Sequence, residues 1–126
     1  MKRVEILKTY KIYSGGQFPR TESGRYYMAL DQKGNPIANM CRGSRKDVRN
    51  AAVSARKALG SWSEKTAFNR SQVLYRIAEV LEGRKSQFVD ELMLQGSQKQ
   101  KAVKEVEASI DRIVYYAGWC DKFCQI

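Results

Sequence analysis

The feature of this sequence that most limits its possible folds is a change in the spacing of apolar residues at Ser44. Before that residue, short β-prone runs alternate with turns that contain Gly, Asn or Pro. After it, apolar residues recur every three or four positions almost to the end of the chain, which is the spacing of helices that bury one face. The sequence therefore predicts an α+β fold, with a β-hairpin or meander region over residues 1–43 and about four helices over residues 44–126.

Three strand candidates lie in the first third of the chain. Residues 10–13 are β-prone, and residues 14–17 (Ser-Gly-Gly-Gln) favour a tight hairpin because glycine adopts a positive φ without strain. Residues 26–30 and 37–41 are the other two candidates, and residues 31–36 between them are turn-forming. A glycine pair can also hold phosphate, but only where a helix begins directly after it. The residues that follow predict a loop, so we favour the hairpin within a small meander.

Capping and stop signals divide the second part into helices. Ser44 and Asp47 resemble a capping arrangement at the start of the first helix, and Gly60 is a stop signal. A second helix is predicted to begin near Thr66 and to be interrupted at Gly83. A third is predicted over residues 85–95 and a fourth over residues 98–123.

Each predicted helix has an apolar stripe that we interpret as core rather than as a binding site for a cofactor. The stripes comprise Val48, Ala51, Ala52, Ala55, Ala58, Leu59 and Trp62; Phe68, Val73, Leu74, Ile77, Ala78 and Leu81; Phe88, Val89, Leu92 and Met93; and Val103, Val106, Ile110, Ile113, Val114 and Ala117.

The charge balance is strongly basic, with 23 Lys and Arg against 13 Asp and Glu. An excess of this kind is compatible with binding to nucleic acid or to an acidic partner. The basic residues are densest over residues 42–57 but occur along the whole chain, and no nucleic-acid-binding motif accompanies them. We therefore interpret them as a solvated surface and expect no nucleic-acid partner, although residues 42–57 would be the site if one exists.

Cysteine and histidine content argues against a metal site. The chain has three cysteines and no histidine, too few ligands of these two types for a four-coordinate zinc site. An odd cysteine count without a secretion signal also argues against a disulfide framework. We expect Cys41, Cys120 and Cys124 to be buried and inert. No apolar run approaches the roughly 20 residues of a membrane span, and the charged residues 1–5 are not followed by an apolar block. A cytoplasmic protein is the resulting prediction.

Several segments, in the same order along the chain, resemble one known family. Residues 13–18 read Y-S-G-G-Q-F, and the stretch from Ser44 to Leu59 is followed by Trp62. Residues 70–82 read R-S-Q-V-L-Y-R-I-A-E-V-L-E, and residues 115–122 read Y-Y-A-G-W-C-D-K. Their order and spacing resemble the amino-terminal segment of the aldehyde dehydrogenase superfamily. The resemblance implies a single partial domain, the amino-terminal part of the α/β aldehyde dehydrogenase-like fold, which flanks the coenzyme-binding core.

The resemblance also implies a chemistry whose residues cannot be assigned in this chain. In the family, a cysteine thiolate attacks the aldehyde, hydride passes to NAD or NADP, and water activated by a glutamate releases the carboxylic acid. No catalytic residue, coenzyme-binding residue or metal ligand is assigned here, and Cys120 aligns with a helix position that is not catalytic. We therefore expect no coenzyme to bind this segment and no activity from the chain alone.

Two departures from the family's motifs indicate a divergent branch. The stretch from Leu30 to Gly34 replaces the common N-P-x-T-G turn. Leu94 stands where many members have an aspartate that helps to hold a monovalent cation, and a leucine side chain offers no oxygen ligand.

The resemblance suggests one pair of substrate-access residues. The helix that precedes the Y-Y-A-G-W motif borders the substrate entrance in the family, and counting back from Trp119 gives Ala108 and Arg112 as candidates, although both could equally pack or meet solvent. The expected partner is the remainder of an aldehyde dehydrogenase fold or a full-length homologous subunit. The alternative function is a non-catalytic interaction or scaffold module that associates with a full-length enzyme.

Overall fold

The computed structural model describes residues 6–123. Cys124 and the charged residues 1–5 lie outside that range. Three strands are followed by four helices: β1 (Thr9–Tyr10), β2 (Tyr26–Leu30), β3 (Pro36–Cys41), α1 (Arg45–Ser63), α2 (Ala67–Gly83), α3 (Lys85–Leu94) and α4 (Lys99–Trp119). The predicted α+β class with four helices is confirmed. The chain divides into two compact units, Met1–Trp62 and Ser63–Ile126, whereas the division predicted at residue 43 stays a prediction.

The sheet of the first unit has the strand order β1-β3-β2. Strands β2 and β3 are antiparallel, with Tyr27 opposite Met40 and an irregularity between Ala29 and Leu30. Strand β1 is parallel to β3, with Thr9 opposite Asn39. This order differs from the simple meander that the sequence suggested, because a parallel neighbour requires a longer crossover connection than a hairpin provides. Residues 11–35, which include β2, supply that connection.

The predicted tight turn at Gly15 and Gly16 is confirmed. The backbone N–H of Ser14 donates to the carbonyl of Gln17 over 3.0 Å, and the N–H of Gln17 donates back over 3.1 Å. Both glycines have positive φ, 61° and 76°, as a two-residue type I′ turn requires. The strand before the turn is shorter than predicted, because only Thr9–Tyr10 pairs with β3.

Helix α1 begins with the predicted capping box. The Oγ of Ser44 accepts from the N–H of Asp47 over 3.2 Å, and a carboxylate oxygen of Asp47 accepts from the N–H of Ser44 over 2.8 Å. The predicted stop at Gly60 is wrong, because the helix continues to Ser63. Glycine in a helix interior costs about 1 kcal/mol relative to alanine, which weakens a helix without ending it.

The apolar stripe predicted for α1 is not core in the described structure. No residue of α1 is buried there, and Val48 and Leu59 are 70% and 61% exposed. The periodicity correctly predicted a helix with one apolar face. It could not show whether a neighbouring element covers that face.

Asp47 also joins the start of α1 to the loop before β2. Its carboxylate accepts a short hydrogen bond from the hydroxyl of Thr21 and a 3.1 Å hydrogen bond from the N–H of Glu22. Thr21 is a buried polar residue. The Thr21 hydroxyl, followed by the N–H groups of Ser44 and Glu22, lowers the pKa of Asp47 to about 2, because each donor stabilises the charged carboxylate.

In the second unit, side-chain and backbone caps lie at the predicted start of α2 and the predicted end of α3. Thr66 caps α2 by accepting from the N–H of Asn69 over 3.2 Å, and α2 ends at Gly83. Helix α3 closes with Gly96 at φ 99° and with a 3.1 Å hydrogen bond from the N–H of Ser97 to the carbonyl of Leu92. Helix α4 ends at Trp119, four residues before the predicted end.

Helices α2 and α3 pack on α4. Val89, Ala102 and Val106 form the buried cluster, with Leu92, Val103 and Ile110 partly buried against it. Ala102, which has no exposed surface, was absent from the predicted stripe. Several predicted core residues are exposed instead, because the apolar sets of these helices extend beyond the face that meets a neighbour. They are Phe68, Val73, Ile77, Phe88, Met93 and Val114.

We expect Val106→Ala to lower the free energy of unfolding by about 2 kcal/mol, because it removes two buried carbon atoms and leaves a cavity. Val106 is 4% exposed and Val114, on the same helix, is 43% exposed. Val114→Ala is therefore the matched control, with an expected loss below about 1 kcal/mol. Urea unfolding followed by circular dichroism measures both. Equal losses would contradict the assigned core.

Asp47 predicts a loss of stability in acid. A carboxyl group with a lowered pKa in the folded state contributes its full stabilisation above the unfolded pKa of about 3.9. That contribution is lost as the pH falls toward about 2. We expect urea midpoints measured between about pH 5 and pH 2 to fall less steeply in Asp47→Asn than in the unaltered protein. Asp111→Asn, at an exposed position of α4, is the control. An unchanged pH slope in Asp47→Asn would show that the network contributes no acid sensitivity.

Candidate functional site

The two predicted substrate-access residues lie on α4. Ala108 is half-buried and Arg112 is exposed, one turn further along. Spacings of four, three and four residues place Ala108, Arg112, Tyr115 and Trp119 on one face of the helix. The structure thus brings both candidates onto one accessible helix face, and their role at a substrate entrance stays a prediction.

An ion pair connects α4 to the start of α3 next to this face. The Nζ of Lys85 donates a short hydrogen bond to Oε1 of Glu107, which immediately precedes Ala108. The hydrogen bond and the charge of Glu107, with a smaller contribution from Glu82, raise the pKa of Lys85 above its ordinary value. Lys85 is therefore charged at neutral pH, and the pair helps to hold α3 against the part of α4 that carries Ala108.

The carboxyl end of α4 forms an apolar depression that we call the aromatic groove. It has a volume of about 470 Å³. Tyr115 and Tyr116 meet edge-on with ring centroids 5.3 Å apart, and the rings of Tyr115 and Trp119 are 6.2 Å apart. The groove is lined by Leu74, Tyr115, Tyr116, Trp119, Cys120 and Phe123. The sequence singled out the Tyr-Tyr-Ala-Gly-Trp string, but it gave no indication that Leu74 of α2 lies beside it.

Two of the three cysteines lie in the part of the chain that the structure describes, and both are free thiols. Cys41 and Cys120 are half-buried, which corrects the expectation that they are fully buried, and Cys124 lies outside the description. The thiol of Cys120 lies 3.5 Å from the carbonyl oxygen of Tyr116. Within residues 6–123, no group of three or more His, Cys, Asp or Glu side chains is placed to hold a metal ion.

The glycine pair does not fit a coenzyme phosphate. Gly15 and Gly16 border a groove of about 660 Å³ against α1, and a Cβ added at Gly15 would lie 3.3 Å from the Oγ of Ser54. The pair itself forms the turn, and it is followed by Gln17 and a loop, not by the first turn of a helix. The helix N–H groups that would bind a phosphate are therefore missing directly after this turn, and no residue of the described chain is assigned to NAD or NADP.

Five of the six basic residues in the dense patch over residues 42–57 lie on α1. Arg45, Arg49, Arg56 and Lys57 are all exposed. Lys46 pairs with Glu22 over 3.2 Å. An exposed pair of this kind contributes little to stability. Exposed basic side chains are expected both on a solvated surface and at a nucleic-acid site. Binding to nucleic acid therefore stays an untested alternative. Across the described part of the chain, no helix combines the length and apolar character needed to cross a bilayer.

Comparison with known proteins identifies the family. The sequence matches the family model described as "Aldehyde dehydrogenase family" over residues 20–125. It is 29% identical over 127 aligned residues to the cytosolic 10-formyltetrahydrofolate dehydrogenase of Mus musculus, covering 97% of this chain and 14% of that protein. It is 33% identical over 118 residues to the mitochondrial benzaldehyde dehydrogenase of Antirrhinum majus, covering 89% of this chain and 22% of that protein.

A solved structure agrees with the sequence matches. The NAD-dependent benzaldehyde dehydrogenase of Corynebacterium glutamicum superposes with a TM-score of 0.84 at 29% identity, covering 89% of this chain and 25% of that one. The chain thus spans about a quarter or less of the length of these relatives, and it corresponds to their amino-terminal part. The predicted resemblance is confirmed, and the chain belongs to the aldehyde dehydrogenase family.

Proposed function

We propose that this chain is the amino-terminal portion of an NAD- or NADP-dependent aldehyde dehydrogenase that oxidises an aldehyde to a carboxylic acid. The observation that carries the proposal is the family match over residues 20–125. The superposition on an NAD-dependent benzaldehyde dehydrogenase supports it independently. The substrate is therefore proposed only as an aldehyde.

The residues of this chain would contribute positioning and access, not bond-making. Helix α4 would place Ala108 and Arg112 at the border of the substrate entrance. The Lys85–Glu107 pair would hold that helix in place from α3. NAD or NADP, when bound by the intact enzyme, supplies the hydride acceptor. Because no described residue is assigned to the coenzyme, no chemical step is assigned to this segment.

The partner proposed for this chain is the rest of an aldehyde dehydrogenase subunit, in the same polypeptide or in a homologous one. A cytoplasmic location is part of the proposal. The two curated relatives carry names that place one in the cytosol and one in the mitochondrion, so cell fractionation is the direct test of this part.

A scaffold module that associates with a full-length aldehyde dehydrogenase is the second candidate. One observation favours it: large apolar side chains are exposed on both units, including Val48 and Leu59 on α1 and Phe68 on α2. Exposed apolar side chains mark an interaction site where they form a contiguous patch. Affinity purification of the tagged chain from its native host would support the scaffold if a separate, full-length enzyme of the family is recovered in fixed stoichiometry.

We expect the purified chain to oxidise no aldehyde in the presence of NAD or NADP, because no cysteine–glutamate pair or coenzyme site is assigned in it. Coenzyme fluorescence with acetaldehyde and benzaldehyde measures this, with the full-length Corynebacterium glutamicum enzyme as the positive control. Coenzyme-dependent turnover that is lost in Cys120→Ser and kept in Cys41→Ser would identify Cys120 as the nucleophile and overturn the prediction.

The proposed entrance can be tested in a chimera that carries this chain in place of the matching segment of the Corynebacterium glutamicum enzyme. The unaltered chimera should fold and oxidise benzaldehyde. Ala108→Trp should lower its kcat/KM for benzaldehyde about 10-fold, with a smaller loss for acetaldehyde, because added bulk at an entrance penalises the larger substrate.

Two further chimeras complete this experiment. Arg112→Ala should alter KM more than kcat if Arg112 borders the entrance. Val114→Trp adds the same bulk on a different face of α4 and is the size control. Equal effects of Ala108→Trp and Val114→Trp on both aldehydes would show that Ala108 does not border the entrance.

A further inference from the structure

The aromatic groove at the end of α4 exposes large aromatic side chains to solvent. Tyr115, Tyr116 and Phe123 are 60%, 63% and 77% exposed. Tyr115 meets both Tyr116 and Trp119, and Phe123 lines the same groove as these rings. Contiguous exposed apolar surface of this kind marks an interaction site, whereas scattered apolar residues do not.

The chemistry of the lining selects the class of partner. All six lining residues are uncharged, although the chain as a whole contains 23 Lys and Arg. Nucleic acids and anionic lipid surfaces are bound mainly by Lys and Arg, so the groove suits neither. Aromatic rings with a polar edge, such as those of Tyr and Trp, are typical of protein–protein contacts, where the ring is buried and the hydroxyl or indole N–H finds a partner.

The position of the groove along the chain selects the partner within that class. This chain corresponds to the amino-terminal part of its relatives and spans 25% of the superposed benzaldehyde dehydrogenase. Helix α4 ends at Trp119, and the family match ends at residue 125. In the superposed enzyme, the remaining three quarters of the chain therefore follow the segment that corresponds to the groove.

We propose that the aromatic groove is the surface on which the remainder of an aldehyde dehydrogenase subunit docks against this segment. This inference rests on the proposed function and adds the contact that joins the two parts. Tyr116 and Phe123 would be buried by the downstream part, and Cys120, which lines the same groove, would be buried with them. Ala108 lies about two turns before Tyr115, the nearest groove residue of α4, and would remain outside the contact.

Alkylation of Cys120 reports on this contact without depending on activity. Trypsin cleaves after Arg112 and Lys122, so the peptide of residues 113–122 carries Cys120 alone and Cys124 falls in the next peptide. The rate of N-ethylmaleimide labelling of this peptide is measured by mass spectrometry in the isolated chain and in the benzaldehyde dehydrogenase chimera. We expect labelling to be about 10-fold slower or more in the folded chimera.

Substitution provides the second measurement. Tyr116→Ser should leave the thermal midpoint of the isolated chain nearly unchanged, because the side chain is already exposed there, and should clearly lower the midpoint of the chimera. Val114→Ser lies on the opposite side of α4 and is the control. It should affect the chimera no more than it affects the isolated chain.

Equal labelling rates in the isolated chain and in the chimera would overturn the inference, as would a Tyr116→Ser chimera as stable as the unaltered one. Protection of Cys120 in the isolated chain that increases with protein concentration would also overturn it, in favour of a second copy of the chain as the occupant. The same chimera tests the proposed function independently of the docking surface. A folded chimera with Cys120 protected but without aldehyde oxidation would support the docking surface and contradict the proposed function, and a chimera that does not fold would contradict both.

Discussion

The packing of small residues between helices is the interaction on which the second unit depends. Ala78, Ala102 and Ala117 are buried, with Val89 and Val106 as the larger members of the core. Alanine allows helix backbones to approach closely, but each alanine buries little apolar area. No large side chain of the described residues is completely buried. Most of the apolar surface area belongs to aromatic and branched side chains that are exposed. The small-residue packing therefore holds the helices together and leaves this apolar surface available to another part of a protein.

Local polar contacts have the corresponding role in the first unit. Asp47 caps its own helix through Ser44 and holds the loop at Thr21 and Glu22. One carboxylate therefore connects the loop before β2 to the start of α1. The sheet and α1 themselves bury little apolar surface. The lowered pKa of Asp47 follows from the same donors. We therefore expect the stability of this unit to depend on a charge, and to be sensitive to acid in a way that an apolar core is not.

These features agree with the membership of the chain in the aldehyde dehydrogenase family and with the fraction of its relatives that it spans. A segment that contributes an entrance border and a docking face, as proposed, would need no nucleophile or coenzyme loop of its own. Both proposals assign functions of this kind: Ala108 and Arg112 at the entrance, and the aromatic groove at the contact with the catalytic remainder. The Lys85–Glu107 pair joins α3 to the helix that carries both sets of residues.

The sequence alone determined the features that depend on local chemistry. Ser44, Asp47 and Thr66 marked helix starts because a side chain and the amides three residues away form a complete cap. Gly15 and Gly16 fixed the tight turn through their positive φ. The motifs around residues 115–122 indicated the family. Tertiary structure decided what depends on neighbours: the parallel pairing of β1 with β3, the continuation of α1 past Gly60, and the burial of Ala102 in place of Phe88 or Met93. Periodicity defines an apolar face, but only the packing of another element on it determines whether that face becomes core or remains a surface.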